Sequence, residues 1–419
     1  MRREQQIEVL VVGAGPVGMI TALLLARNGV RVRVIDQEWR TASRTYACAL
    51  HPRTLKMLDP LGVTRDALAA GRTIDTVAFY EGHKRCGEVK LSRLPVDFPF
   101  VVVLPQSTFE QILEERLRKE GTIRVDWNHQ LAGLRDEGNS VIATVDQLGV
   151  SAKGYAVPEM DWAVERTEEI RADYVVGADG PKSFVAQSLA LGEEKAGETE
   201  FYVVYEFQTD DDVDSELHIA LDAKTKNVLW PLPQKRMRWS FQLSQEHLRE
   251  FPEKERQPIL IGDPESELAN RRFMQKLIDA RAPWFKTPIQ EVLWSTDVEF
   301  QRRVATRFGQ HRCWLAGDAA HQTGPAAMQS LNIGLLEAEC LAEALTTILR
   351  EKGSNKALET YEEVFRAEWR RLLGFEGSLK SKTKIDPWVK QHGADLLSCL
   401  PASGSDLQHL LGQLELELA

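Results

Sequence analysis

Apolar runs and polar or glycine breaks alternate over residues 7–37 in an order that predicts strand, turn, helix and strand. Val9–Val12 is an uninterrupted apolar run, Gly13, Gly15 and Gly18 break it, and Met19–Ala26 is rich in alanine and leucine. A second apolar run, Val30–Ile35, ends on Asp36. Further along, Phe98–Leu104 is an apolar run stopped by Pro105. From Ser107 a helix is expected, with Phe109, Ile112, Leu113 and Leu117 on one stripe and a stop at Gly121, so Gln106 falls at a strand-to-helix junction. Ile123–Val145 reads as short strands, and Ser151–Ile170 as an inserted excursion, expected as a hairpin. Tyr174–Val176 is a short buried strand leading into Gly177, Asp179 and Gly180.

The pattern changes over Phe201–Leu243, where FYVVYEF, LHIAL, NVLWPL and RWSFQL follow one another without helices, which predicts an antiparallel sheet. Leu268–Ala280 reads as a helix and Val292–Phe300 as a further strand. Cys313–Ala316 is then a strand ending in Gly317 and Asp318. A loop with Gly324 and Pro325 enters a long helix expected from about Ala327, with Leu331, Leu335 and Leu341 periodic along it. The region after Lys356 is mostly helical. From Asp406 onward, Leu407, Leu410, Leu411, Leu414 and Leu418 fall on one face, for intramolecular packing or a subunit contact.

The opening unit has the parts of a dinucleotide site. Gly13 permits a tight turn, Gly15 lets the backbone approach a pyrophosphate, and Gly18 lets helix and strand lie close. The helix N-terminus offers free N–H groups and partial positive charge, and Asp36 can accept hydrogen bonds from a ribose. The same logic applies where the strand ending in Asp318 meets the second long helix.

Composition narrows the classes. A chain of 419 residues with 43% hydrophobic and 27% charged residues has the make-up of a globular protein. A net charge of -10 argues against nucleic-acid or anionic-membrane surfaces. The uncharged run Val9–Ala26 contains a Gly-Pro turn, so neither a leader nor a membrane span is expected, and the location expected is cytoplasmic. Five scattered cysteines with no CxxC pair predict reduced thiols and no metal site. Arg44 and Arg53 stand out in an otherwise small and apolar stretch, as binding residues or as helix caps or surface ion pairs. His321 lacks any ligand spacing and is expected to be structural. Tyr205, Trp230, Trp239 and Phe241 line a pocket or, the favoured expectation, fill a core.

Three ordered motifs, GAGPVG with Asp36, VVGADGPKS, and LAGDAAHQTGP followed by LNIGL, resemble those of the single-component FAD-dependent aromatic hydroxylases. The resemblance implies an α/β fold with a Rossmann-like FAD-binding domain (1–75, 100–190 and 300–350), an interleaved antiparallel-sheet substrate domain (76–99 and 191–299) and a helical region (351–419). It implies Gly13, Gly15 and Gly18 at the FAD pyrophosphate and Asp36 at the adenosine ribose. Arg44 would lie near the pyrophosphate and the nicotinamide approach, Gln106 on the flavin side, and Asp179 where both FAD and NAD(P)H bind. Asp318 would meet the ribityl chain, Pro325 the isoalloxazine, and the backbone of Leu331 and Asn332 its N1 and C2 edge; Arg44 and Pro325 are the residues nearest the chemistry. One departure is AAMQS (Ala326–Ser330), where the family usually has glycines.

The implied activity uses NADPH or NADH and O₂ to hydroxylate a phenolic or polycyclic aromatic substrate through a C4a-hydroperoxyflavin, in a monomer or homodimer. A substrate-side base is expected from the Phe201–Leu243 sheet, with Tyr205 and His218 as candidates. A reductase or dehydrogenase without oxygen insertion, and a non-catalytic flavin- or ligand-binding protein, are the alternatives. Isotopic oxygen in product separates the first from the hydroxylase, and failure of NAD(P)H to reduce bound FAD marks the second.

Overall fold

Strand Ile7–Val12 is buried from its second residue onward, because it is flanked on both sides within a parallel sheet. Val32–Asp36 pairs with one edge and the end of Glu159–Gly177 with the other. A strand covered on both faces needs a continuous apolar run, which VLVV supplies. The computed structural model describes residues 7–40, 48–121, 123–153, 159–210, 215–222, 224–244, 264–351, 353–381 and 385–418. Arg44 lies outside them.

The opening strand belongs to an eight-stranded sheet. Its path runs Gly309–Gln310, Cys313–Leu315, Glu159–Gly177, Ile7–Val12, Val32–Asp36, Val125–Trp127. The parallel members all deliver their C-terminal ends, and with them Gly13, Asp36, Ala178 and Ala316, to one edge. Open parallel sheets bind ligands at that edge. The expected strand Tyr174–Val176 is the last part of a strand that begins at Glu159. The excursion is a ribbon: Val141–Lys153 pairs antiparallel with Glu159–Gly177, from Val141↔Ala172 to Lys153↔Glu159.

Helices Pro16–Arg27 and Gln329–Glu351 meet behind the binding edge. A Cβ on Gly334 would stand 3.0 Å from Gly317 Cα and from Val17 Cγ2, so this glycine sets how closely helix, turn and helix approach. The second helix starts at Gln329, later than expected, because Met328 has φ +55°, outside the right-handed helical region.

A second sheet of seven strands joins Thr76–Glu81 and Lys84–Lys90 to five strands between Glu200 and Phe300. Its two faces are spoken for differently. Val203, Tyr205, Phe207, Met237, Trp239 and Phe241 form a separate core with Phe273, Met274 and Leu277 of helix Pro264–Arg281. Val228, Trp230 and Leu232 instead join the main core. All four aromatics singled out from the sequence are therefore core residues, each 0% exposed.

Residues 356–418 are not wholly helical. After helix Gly404–Gln413 the chain turns at Glu415, φ +58°, and Leu416–Leu418 pairs with Leu379–Ser381. Leu418 thus leaves the helical stripe, whereas Leu407, Leu410, Leu411 and Leu414 are buried within the chain. All five cysteines are free. No helix among the described residues is long and apolar enough to cross a membrane.

Candidate functional site

Two of the three motif glycines are required by the protein itself. A Cβ on Gly13, at φ +102°, would overlap the Ala178 carbonyl, and one on Gly18 would overlap the carbonyl of Gly13. Gly15 differs. Its backbone is extended (φ -69°, ψ 176°), it caps helix Pro16–Arg27 without a side-chain hydrogen bond, and a Cβ there would meet nothing within 4 Å. No neighbour in the described chain demands a glycine at this position, and the open space before it adjoins the first-turn amides of a helix, which have no acceptor within it. That is the geometry of an anion cradle.

Gly15 stands where two cavities of about 420 Å³ each meet. Both are also lined by Gln106, Ala178, Gly180 and Pro181, so they form one trough with two lobes. The first lobe holds Asp36 and Asp179. Asp36 Oδ2 accepts the Ala14 N–H at 2.6 Å and Oδ1 the Glu38 N–H at 2.8 Å, which orients the carboxylate at the strand end. Burial pushes its pKa up, against those two amides. Asp179 Oδ2 accepts the N–H groups of Phe184 (2.7 Å) and Val185 (3.1 Å) and so anchors the start of helix Phe184–Ser188. Its Oδ1 is closed off from solvent with no hydrogen-bond partner among the described residues. Burial raises the pKa of this carboxyl also, opposed by the hydrogen bonds it accepts.

The second lobe holds Asp318, Pro325 and Leu331, walled by Val298 and Phe300 of the second sheet and by Met328. Asp318 sits in the turn Gly317–Ala319 with its pKa raised by burial, while His321 and Arg303 draw it down. Gln106, at the N-terminus of helix Gln106–Glu120, faces both lobes and donates to Glu110 at 2.7 Å. Asn332 does not line the trough. Its Oδ1 accepts the His51 N–H at 2.7 Å, its Nδ2 donates to Ala49 O and Met328 O at 2.9 Å, and its own N–H is bonded to Met328 O at 3.3 Å.

The trough therefore gathers Gly13, Gly15, Asp36, Gln106, Asp179, Asp318, Pro325 and Leu331, while Gly18 and Asn332 support it from behind. An extended dinucleotide with a planar ring fits this donor set. The cleared space at Gly15 suits a pyrophosphate, and the unpaired Asp179 oxygen suits a hydroxyl or N–H donor.

Tyr205 and His218 are not on the trough side. Tyr205 belongs to the core against helix Pro264–Arg281, and His218 lies 5.0 Å from the Trp284 ring and 5.8 Å from that of Tyr80. In a strand successive residues point to opposite faces, so every second residue shares one. Tyr202 and Glu200 thus share the trough face with their ladder partners Val298 and Phe300. A Cβ on Gly324 would stand 2.8 Å from Glu200 Oε2 and 3.3 Å from Tyr202 Oη. Tyr202 Oη donates to Glu200 Oε2 at 3.2 Å and Lys226 Nζ to Oε1 at 3.0 Å, a polar group behind the wall that motif reading missed. Only the two-residue period of FYVVYEF could have separated Tyr202 from Tyr205. His321 is fully buried, 2.9 Å from Glu337 Oε2 and stacked on Trp369, and Glu337 also accepts the Gly317 N–H at 2.8 Å. Among the described residues no group of three or more His, Cys, Asp or Glu could hold a metal ion.

Residues 6–375 match the family described as FAD binding domain. The chain is 30% identical over 367 residues to 6-methylpretetramide 4-monooxygenase of Streptomyces rimosus, covering 84% of itself but 58% of that protein. It is 27% identical over 405 residues to para-nitrophenol 4-monooxygenase of Pseudomonas sp. (strain WBC-3), covering 91% of itself and 87% of the relative. The crystal structure of p-nitrophenol 4-monooxygenase from Pseudomonas putida DLL-E4 superposes with a TM-score of 0.72 at 24% identity, over 98% of this chain and 97% of that one. Trough, topology and matches agree: the chain belongs to the FAD binding domain family, whose model spans residues 6–375.

Proposed function

We propose that the protein is an NAD(P)H- and O₂-dependent monooxygenase that hydroxylates a phenolic or fused-ring aromatic substrate in the lobe bounded by Val298, Phe300, Pro325 and Met328. The observation that carries this reading is the continuous trough from Asp36 to Leu331, with Gly15 clearing space at its middle. FAD bound there supplies hydride acceptance and oxygen activation. The chain's own contribution is binding, orientation and the exclusion of water.

Gly15 and the amides that begin helix Pro16–Arg27 receive the pyrophosphate, and Asp36 and Asp179 accept from hydroxyl groups in the first lobe. Asp318 does the same at the entrance to the second. There the N-terminus of helix Gln329–Glu351 stabilises negative charge through its unpaired first-turn amides. Phe300, Val298, Pro325, Met328 and Leu331 give the aromatic ring an apolar bed that excludes water. Arg44 is proposed at the pyrophosphate and nicotinamide approach from the motif alone. A cytoplasmic location accompanies the reading.

The test is aerobic oxidation of NADH and NADPH by the purified protein, with and without a panel of phenols and polycyclic aromatics, alongside a peroxide assay. Substrate-stimulated oxidation with little peroxide, and label from ¹⁸O₂ in the product, is expected. Reduction of bound FAD with no label in any product would replace the monooxygenase by a reductase.

A further inference from the structure

The loop that walls the second lobe is held unusually firmly for a segment between two elements. Ala326, Ala327 and Met328 are 3%, 1% and 5% exposed. His51 Nε2 donates to Ala327 O at 2.7 Å, and Asn332 Nδ2 and N–H both donate to Met328 O, at 2.9 and 3.3 Å. Asn332 Oδ1 takes the backbone N–H of His51, so the Asn332 side chain is tied to the backbone that carries the other clamping ring. At the centre sits Met328 in the left-handed region, φ +55°, which a residue with a Cβ adopts only when its surroundings impose it. Strain kept in a cavity wall, with two consecutive carbonyls clamped to hold it, shows a side chain placed rather than merely accommodated.

We infer that Met328 is the specificity-determining wall of the aromatic lobe, and that His51 and Asn332 are positioning residues that keep it there. This rests on the aromatic-substrate reading above. Met328 shares the lobe with Val298, Phe300, Pro325 and Leu331. With the carbonyls on both sides of its Cα fixed, Met328 can yield to a larger ring only by changing side-chain rotamer, not by moving its backbone. The lobe therefore has a fixed backbone at this end and, narrowed by the Met328 side chain, admits compact rings in preference to extended ones. A glycine at 328 would keep the backbone conformation at no steric cost while removing the wall.

Two measurements test this. Equilibrium dialysis of phenol and 1-naphthol is carried out on the FAD-loaded wild-type protein and on FAD-loaded Met328→Gly, a variant whose backbone preference matches φ +55°. The ratio of naphthol to phenol dissociation constants is expected to fall at least tenfold in the variant. An unchanged ratio overturns the wall. Hydrogen exchange of peptides spanning residues 326–332 is then compared in wild type, His51→Phe and His51→Gln, the last keeping an N–H near the Nε2 position. Exchange at least tenfold faster in His51→Phe, restored in His51→Gln, with peptides from Ile7–Val12 unaltered, supports the clamp. Acceleration spread evenly over the whole chain, or none at all, overturns it. If neither ring compound binds the wild-type protein, the aromatic reading falls, and the exchange comparison alone decides whether the clamp exists.

Discussion

A methyl group at Gly15 should separate cofactor binding from folding. Alanine is compatible with φ -69° and ψ 176°, and its Cβ would meet no protein atom within 4 Å. Folding alone therefore predicts neutrality or a gain of about 0.4–1 kcal/mol, because the unfolded chain loses freedom. Binding predicts the reverse. The methyl enters the space assigned to the pyrophosphate, and displacing one charge-assisted amide bond costs about 1.5–3 kcal/mol, roughly ten- to 150-fold in Kd. Gly13→Ala is the control: φ +102° and overlap with Ala178 O should prevent normal folding outright. Urea unfolding and FAD titration by fluorescence quenching, run on wild type and both variants, give the two quantities separately. If Gly15→Ala binds FAD as the wild type does, or unfolds as readily as Gly13→Ala, the cradle argument is refuted.

Acidification should act through His51, whose pKa burial pulls down to about 3. The unfolded imidazole titrates near 6.5, so between about 6.5 and about 3 the unfolded chain binds more protons. Stability is then full above 6.5 and falls with pH, by about 2 kcal/mol at pH 5 from this site. Urea midpoints at pH 7 and 5 for wild type and His51→Gln check it; an equal pH dependence in both would count against the assignment. Lys226→Met should cost about 3 kcal/mol by stranding Glu200, whose side chain is 13% exposed. The double variant with Glu200→Gln should recover part of that loss, and additive single costs in a double-mutant cycle would disprove the coupling. Trp369→Phe removes the indole N–H that reaches Glu337 Oε1 at 2.9 Å and leaves that oxygen unpaired in the core. A loss of about 1–3 kcal/mol is expected in denaturant unfolding, and a neutral result would mean that water reaches Glu337.

Much of the fold was legible because it rests on local rules. Val9–Val12, the glycine spacing and Asp36 announce a strand-turn-helix-strand unit whose function needs those residue types in that order. The strands of Phe201–Leu243 were equally plain from their alternation. What no local rule discloses is which face of a strand meets which neighbour. Tyr205 and His218 looked like suitable site chemistry, yet register places them against helix Pro264–Arg281 and the Trp284 ring. Glu200, Tyr202 and Lys226 matter because of Gly324, more than 90 residues away in the chain, and only the folded contact reveals it. The spacing predicts a helix from about Ala327, and it starts at Gln329 for a related reason: Met328 adopts a conformation that its own propensity resists, with Ala327 O bonded to His51 and Met328 O to Asn332. Leu418 was assigned to a helical face because its spacing fits, but pairing with Leu379 offered its backbone a sheet partner instead.

The seven-stranded sheet divides selection on this protein by residue parity. In Glu200–Thr209, Val203, Tyr205 and Phe207 face the second core, while Glu200 and Tyr202 face the other way, against Gly324 behind the trough wall. Replacement of Glu200 or Tyr202 can shift the Gly324 loop behind the lobe without touching the packing of Val203, Tyr205 and Phe207. Stability can likewise be repaired on the odd positions without altering specificity. A single-residue insertion in this strand has no such freedom, since it exchanges the two faces at a stroke. The strand should therefore accept replacement at alternate positions far more readily than gain or loss of a residue.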